Sequence, residues 1–283
     1  MATLSHALLE RSDRVSNVAT MGVHVVVVEI GGTPIRLSTD SASFLRLVQD
    51  RYRGFLSSDP HRGVDLAVSL SPVNNLAIDD IRVARDSGIW SAERADFRFD
   101  WNSESRSGRL EVALNAYSVD AALRILHTLL LAEAGGFLLH AASAVRNGRA
   151  FLFFGPSGAG KTTVARLAVS DATLLTDEIS YVRRDGESYS AHGTPFTGEL
   201  AKPGENISAP IAALYHLVKA PTNRLTLMKE ADAARALLES VLFFAEDADL
   251  VKLVFKSVCD LVCQLPVYQL EFVPDKSVWD LVQ

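Results

Sequence analysis

The sequence predicts a mixed α/β fold of the α+β kind: a β-rich N-terminal module over residues 1–117, then a second domain over 118–283. Three observations predict it. Short stretches of alternating apolar and polar residues, separated by polar breaks, fill roughly the first 115 positions. Near Ser118 the spacing becomes helical. Beyond Gly136 the pattern runs strand, turn, strand, glycine-rich loop, helix. With 283 residues, 48% hydrophobic and 22% charged, the chain is long enough for one large core or two modest ones.

The elements follow in order. "VHVVVVEI", Gly31-Gly32 and "TPIRLS" read as a hairpin with a two-residue glycine turn. "SASFLRLVQDRYR" (41–53) has apolar residues at helical spacing. "VDLAVSL", "ADFRFDWN" and "GRLEVALN" alternate as half-buried strands do, with breaks at "SSDPHRG" and "NSESRSG", and the module reads as antiparallel. Ser118 is the expected cap of a helix over Val119–Ala134, with Gly135-Gly136 at its end. This helix fits either half of the chain. "DAARALLESVLFFA" and "DLVKLVFKSVCDLVCQL" read as amphipathic helices, and "VYQLEF" as a closing strand before a short tail around Trp279.

Composition excludes several classes. The net charge is −6 and no Lys/Arg run accumulates, so no nucleic-acid partner is expected. The longest apolar stretch, beginning at "AALRILHTLLL", is interrupted by Arg124, His127 and Glu133 and reads as a buried helix plus strand, not a membrane span. "MATLSHALLERSDRV" lacks the basic-then-apolar order of a signal peptide. The two cysteines, Cys259 and Cys263, lie one helical turn apart with no companion at metal-ligand spacing; core packing and a reducing, cytoplasmic setting are expected.

The most informative stretch is "AFLFFGPSGAGKTT". Gly155, Pro156, Ser157, Gly158, Ala159, Gly160, Lys161 and Thr162 satisfy G-x4-G-K-[ST], the Walker A or P-loop pattern, and Thr163 follows it. Glycines let backbone N–H groups turn toward phosphate oxygens with no Cβ in the way, and a following helix adds its positive end. Lys161 is placed to neutralise phosphate charge, and the Thr162 hydroxyl to meet Mg²⁺. An apolar strand leads in and "KTTVARLAV" leads out as a helix, which makes the pattern specific.

Two further segments point at this loop. Asn147-Gly148 lies between "LLHAASAVR" and "RAFLFFG" and signals a type I′ hairpin. A turn centred there pairs residues whose numbers sum to 295, which sets His140 opposite Gly155. Downstream, Asp177 and Glu178 follow the short apolar strand of "ATLLT", where carboxylates beside a P-loop hold Mg²⁺ or accept a proton from an attacking hydroxyl. "ISYVRR" and "ESYSA" flank Asp185-Gly186 as another hairpin. "HGTPFTGELAKPGEN" (192–206) reads either as a binding loop or as a surface connection. Arg183, Arg184 and Arg224 are candidates for reaching a phosphate.

On these residues the chain resembles the catalytic domain of HPr kinase/phosphorylase. The resemblance is carried by a His fifteen positions before the first loop glycine, the intervening hairpin, a GPSGAGKT-type loop and an acidic pair at the next strand end. It covers about residues 135–200; "GTPFTGEL" and the C-terminal helices look, more loosely, like HPr-kinase-related bacterial proteins. The resemblance implies a P-loop kinase domain of the HPr-kinase/phosphoenolpyruvate-carboxykinase type over 118–283. It also implies ATP and Mg²⁺ bound by Gly155–Thr162, Asp177 and Glu178 as metal contact and base, and His140 near the reacting phosphate.

The expected function is therefore Mg·ATP-dependent transfer of the γ-phosphoryl to a hydroxyl, with a serine of a protein or peptide foremost as acceptor and a small molecule as the close alternative. The catalytic candidates are His140, Lys161, Asp177 and Glu178; the metal candidates are Thr162, Asp177 and Glu178. Either acidic residue serves as the base. A homo-oligomer is open by family analogy. The rival reading is an ATP- or GTP-binding regulatory or scaffold protein without phosphotransfer. A GTPase fits less well, because no N/T-K-x-D-like base-reading segment occurs.

Overall fold

The computed structural model describes residues 23–58, 63–71 and 81–282. The N-terminal stretch read for a signal peptide, and residues 59–62 of the "SSDPHRG" break, lie outside the described residues. Two mixed sheets with a helix between them make up the architecture, a mixed α+β fold.

The first sheet is built from β1 (His24–Ile30), β2 (Thr33–Thr39), β3 (Val64–Leu70), β4 (Arg82–Asp86), β5 (Ile89–Arg94), β6 (Phe97–Asn102) and β7 (Ser107–Val112). Its order is β1-β2-β3-β7-β6-β5-β4. Gly31 and Gly32, at φ 61° and 68°, make the left-handed turn between β1 and β2. Helix α1 (Ala42–Arg51) follows, its N-terminus capped by Ser41 accepting from the Phe44 N–H. The expectation of an antiparallel module is corrected here, since β2–β3 and β3–β7 are parallel. The reason is α1, a crossover helix that carries the chain back so that β3 enters in the direction of β2.

Helix α2 (Ala116–Glu133) is the keystone. Fourteen of its residues are buried, so it is apolar nearly all round, as a helix packed on two sides must be. Its cap is Asn115, whose side chain accepts from the Ser118 N–H, and the expected cap Ser118 lies one turn inside the helix. Ser118 instead donates to Asp96 in the first sheet at 2.5 Å. Asp120 receives Arg51 and Tyr52 from the α1 side, each at 2.6 Å. One hydrophobic cluster runs through Val28, Leu37 and Trp90, across Leu123, Leu126 and Leu129 of α2, to Leu138, Val182 and Val258 beyond it. Each fully buried leucine there contributes about 1.5–3 kcal/mol of transfer free energy.

The second sheet contains β8 (Phe137–Leu139), β9 (Ala141–Arg146), β10 (Arg149–Phe154), β11 (Ala172–Thr176), β12 (Ser180–Asp185), β13 (Ser188–His192), β14 (Ser208–Lys219), β15 (Arg224–Leu227), β16 (Val241–Leu242) and β17 (Val267–Phe272). Helix α3 (Lys161–Arg166) joins β10 to β11, while α4 (Glu230–Leu238) and α5 (Ala248–Gln264) lie between β15 and β17. Strand β14 is twelve residues long and serves two neighbourhoods: its start pairs with β13, and its later part pairs in parallel with β10 and β17. Strand β10 is buried on both faces. Leu152 and Phe154 point into the α2 core, whereas Phe151 and Phe153 join a second cluster with Val164, Tyr215 and Trp279. This explains why "AFLFF" shows no polar alternation.

Several expected elements differ in extent. Helix α3 stops at Arg166 rather than running through Val169, because Ser170-Asp171 turns the chain into β11. The predicted helix over "DAARALLESVLFFA" ends at Leu238, and Val241-Leu242 pairs with β8 instead. The tight turn between β12 and β13 is centred on Gly186-Glu187, one residue later than read, with Gly186 at φ 64°. Cys263 is exposed and Cys259 partly so, which corrects the expectation that both pack in the core. No helix among the described residues is long and apolar enough to cross a membrane.

Candidate functional site

The β9–β10 hairpin has the register read from its turn. Arg149 faces Arg146 and Phe154 faces Ala141, every pair summing to 295. Asn147 and Gly148 have φ of 52° and 73°, as a type I′ turn requires. His140 therefore sits one step past the ladder, beside Gly155. It is also where the chain leaves β8, which pairs with β12, and enters β9, which pairs with β10 and β11. The His140 N–H donates to Ser240 O at 2.8 Å. Ser180, buried at the start of β12, donates to Ala141 O at 3.0 Å and fixes the crossing point.

The glycine-rich loop leaves the end of β10. Gly155, Gly158 and Gly160 have φ of 146°, 77° and 110°, conformations that side-chain-bearing residues rarely adopt. At Gly160 a Cβ would also stand 2.6 Å from Phe272 at the end of β17. Pro156, Ser157 and Gly158 are exposed, while Lys161 is buried. The Lys161 ammonium donates to Gly155 O at 3.0 Å and Pro156 O at 3.3 Å. Burial lowers its pKa, and the charge of Glu178 opposes that shift. Thr162 and Thr163 are half-buried at the start of α3. Behind them Trp279 donates to Val164 O at 3.1 Å, and Arg146 ties the tail down through Trp279 O at 2.9 Å.

The acidic pair divides into two environments. Asp177 is 1% exposed and accepts the Gly198 N–H on one oxygen and the Leu200 N–H on the other, both at 2.9 Å. Glu178 is open to solvent on one side. Its Oε1 lies 3.5 Å from His140 Nε2. The neighbouring His140 imidazole holds the Glu178 carboxyl below the usual range against the opposing effect of burial, aided by the charges of Arg124 and Lys161. Thr176 organises the turn between them, its hydroxyl accepting from Glu178 N and Ile179 N at 3.2 Å.

The 192–206 stretch is buried over 193–196 and largely exposed from 199 onward, and backbone bonds tie both parts to β11. Thr194 N donates to Leu175 O, Glu205 N to Leu174 O, and the Thr194 hydroxyl to Ile179 O. Gly198 lies so near the acidic pair that a Cβ would stand 2.8 Å from Glu178 Oε2 and 2.9 Å from Asp177 Oδ2.

His140 and Glu178 are thus brought into contact, within the influence of the Lys161 charge, and Asp177 lies under the 198–200 backbone. Arg183, Arg184 and Arg224 are not brought there. Arg183 donates to Gly31 O at 3.0 Å, Arg184 pairs with Asp260 at 3.3 Å, and Arg224 with Glu271 at 2.6 Å. A residue that reasoning from sequence passed over is Arg124 of α2. Its guanidinium carbon lies 4.9 Å from the centre of the Phe196 ring, and it interacts with the charges of Asp120 and Glu178. The signal was an arginine inside an otherwise apolar helix.

Fold and site together define a mixed α+β protein with a glycine-rich strand–loop–helix turn and a His–Glu contact at its rim. Residues 112–283 match the model of the family described as SynChlorMet cassette protein ScmC, and the chain belongs to that family. No curated protein sequence matches the chain. Among solved structures, the Hpr(Ser) kinase/phosphatase from Coxiella burnetii is similar over 42% of this chain and 93% of its own, at 14% identity and a TM-score of 0.22. At that score the likeness bears neither on fold nor on activity.

Proposed function

We propose that the protein is a cytoplasmic Mg·ATP-dependent phosphotransferase acting on a hydroxyl, with a serine of a protein or peptide as the foremost acceptor. In this reading residues 118–283 form the nucleotide-binding domain and 1–117 a module that braces it. The observation that carries it is the His140–Glu178 contact at 3.5 Å beside Gly155, the first residue of the glycine-rich loop that bears Lys161. Three separate stretches of chain meet there.

The chemistry follows from the groups. Lys161 and the loop amides grip the triphosphate and stabilise charge on the transferring group. Glu178 accepts the proton of the acceptor hydroxyl as its oxygen forms a bond to the γ-phosphorus. The bond from that phosphorus to the bridging oxygen breaks, and ADP leaves with the electron pair. His140 holds the Glu178 carboxylate ionised and oriented; contacts of this length in ligand-free enzymes tighten in the productive complex. Asp177 keeps the 198–200 segment in place over the pair.

The residues fit Mg²⁺. Among the described residues no three His, Cys, Asp or Glu side chains gather as an all-protein cage, and Mg²⁺ bound with nucleotide phosphates needs only one or two carboxylates. Thr162 and Asp177 would hold it, directly or through water, which leaves Glu178 for the proton; with the two carboxylates exchanged, Glu178 would be the ligand and Asp177 the base. When bound, the ion neutralises charge on the β- and γ-phosphates.

The test is transfer of label from γ-labelled Mg·ATP to serine-containing proteins, peptides and small hydroxyl compounds. Failure to bind Mg·ATP at millimolar concentration overturns the reading. A nucleotide-responsive regulatory protein is the second reading. It draws support from both Asp177 oxygens being engaged by backbone amides and from the direct bond of Arg183 to Gly31 O in the first sheet. Nucleotide binding without any transfer would favour it.

A further inference from the structure

Arg124 lies one helical turn beyond Asp120 on α2, on the same face. Asp120 is held from the other side by Arg51 and Tyr52 of the α1 region. The Arg124 guanidinium stacks over Phe196 at 4.9 Å, and its Nε is buried with no hydrogen-bond partner among the described residues. Burying an arginine in an apolar helix is expensive, and stacking on an aromatic face between two carboxylates offsets that cost. Phe196 opens the segment whose amides at 198 and 200 grip Asp177, and the Thr176 hydroxyl donates to Phe196 O at 3.4 Å. The chain of contacts runs from α1 through α2 to the acidic pair.

We propose that Arg124 is a positioning residue of this site, which by stacking on Phe196 holds residues 196–200 against Asp177 and Glu178. The proposal rests on the phosphotransfer reading for its catalytic consequence, but not for its structural one. Asp120, itself bonded to Arg51 and Tyr52, lies on the same face of α2, and its charge favours the arginine there.

The experiment uses the full chain with Arg124→Met, Arg124→Lys and Phe196→Leu. Three quantities are read: amide hydrogen exchange at Gly198 and Leu200 without ligand, the Kd for Mg·ATP, and turnover of Mg·ATP with water as acceptor. Arg124→Met is expected to speed exchange at both amides at least tenfold and to lower kcat at least tenfold, with Kd within threefold of the parent. Phe196→Leu should move the same way, and Arg124→Lys should recover part of both effects. Unchanged exchange in a folded Arg124→Met protein overturns the proposal. So does a loss of Mg·ATP affinity equal to the loss of kcat, which would make Arg124 a ligand contact. If the parent protein neither binds nor turns over Mg·ATP, the phosphotransfer reading fails while exchange still decides what Arg124 does. If Arg124→Met does not fold, the lysine and Phe196 variants decide.

Discussion

His140 Nε2 stands 3.5 Å from Glu178 Oε1, although the two residues come from different strands' ends in a sheet of mixed direction. The imidazole is delivered by the end of one hairpin and the carboxylate by the end of β11, so the backbone at each residue is placed without the other side chain. Removing either should cost chemistry and leave the fold intact. Glu178→Gln is expected to lower Mg·ATP turnover at least a hundredfold and to change Mg·ATP affinity no more than a few-fold, and His140→Ala to cost tenfold or more. Steady-state kinetics with a parallel binding titration checks both; a Glu178→Gln protein with parental turnover removes Glu178 from the role of base.

Lys161 is buried, and among the described residues its ammonium donates to two loop carbonyls, Gly155 O and Pro156 O. In the phosphotransfer reading this ammonium meets the phosphates. Lys161→Ala should therefore abolish measurable turnover, with a loss of roughly a hundredfold or more, and should reduce Mg·ATP affinity as well. Calorimetric titration of the variant is the direct measurement. Retained affinity and rate would mean that the loop does not grip phosphate.

Asp177 distinguishes the two functional readings. Its carboxylate accepts two backbone N–H groups, and hydrogen bonds to a charged group are each worth about 1.5–3 kcal/mol. Asp177→Asn keeps one acceptor oxygen and loses the charge. A phosphotransferase should then lose tenfold or more in kcat, and a nucleotide-responsive protein should keep its affinity within a few-fold and have no transfer to lose. Kinetics and binding measured on the same preparation separate these outcomes.

Gly198 makes a narrower prediction. A methyl group there would meet Glu178 Oε2 and Asp177 Oδ2 at under 3 Å. Gly198→Ala should displace the segment or the carboxylates and lower turnover several-fold or more, while the melting temperature moves by only a few degrees because Gly198 is half-buried and belongs to neither hydrophobic cluster. Equal turnover in Gly198→Ala would show that the segment is free to give way.

Much of this site was legible in the sequence because it is local. The Asn147-Gly148 turn fixed the hairpin register, the register carried His140 to Gly155, and the glycine pattern marked the loop. What was not legible depends on tertiary placement. Nothing in "TDEIS" distinguishes the two carboxylates; their difference arises from residues 198 and 200, whose N–H groups bond Asp177 and not Glu178. Arg124 looked like an interruption of an apolar helix, and only the approach of Phe196 gives it a partner. The parallel strand pairs of the first sheet did have a signal, the helix between "TPIRLS" and "VDLAVSL", because a crossover of that kind reverses the expectation of antiparallel neighbours. The end of the helix at Leu238 had none, since "SVLFF" is apolar enough for either state and its pairing with β8 decides the matter.

His127 sets the pH dependence of stability. It is fully buried on α2, its Nδ1 lies 3.4 Å from the Tyr181 hydroxyl, and its Nε2 has no hydrogen-bond partner among the described residues. Burial pushes its pKa down from 6.5 to about 3, so the native state holds it neutral while the unfolded chain protonates it near 6.5. The unfolded state therefore binds more protons between those values. The stability this group permits is complete above pH 6.5 and falls as pH drops toward 3, by up to about 1.4 kcal/mol per pH unit. His127→Leu removes the ionisable group and the orphaned nitrogen together, and its volume suits the apolar surroundings. Urea denaturation of parent and variant at pH 7, 6, 5 and 4 should give curves that diverge steadily below pH 6, with the variant the less sensitive to acid. The difference between the two isolates His127 from every other titrating group. Parallel pH profiles would show that the imidazole reaches water in the native state, and with it that the contact between α2 and β12 is looser than the buried Tyr181–His127 pair implies.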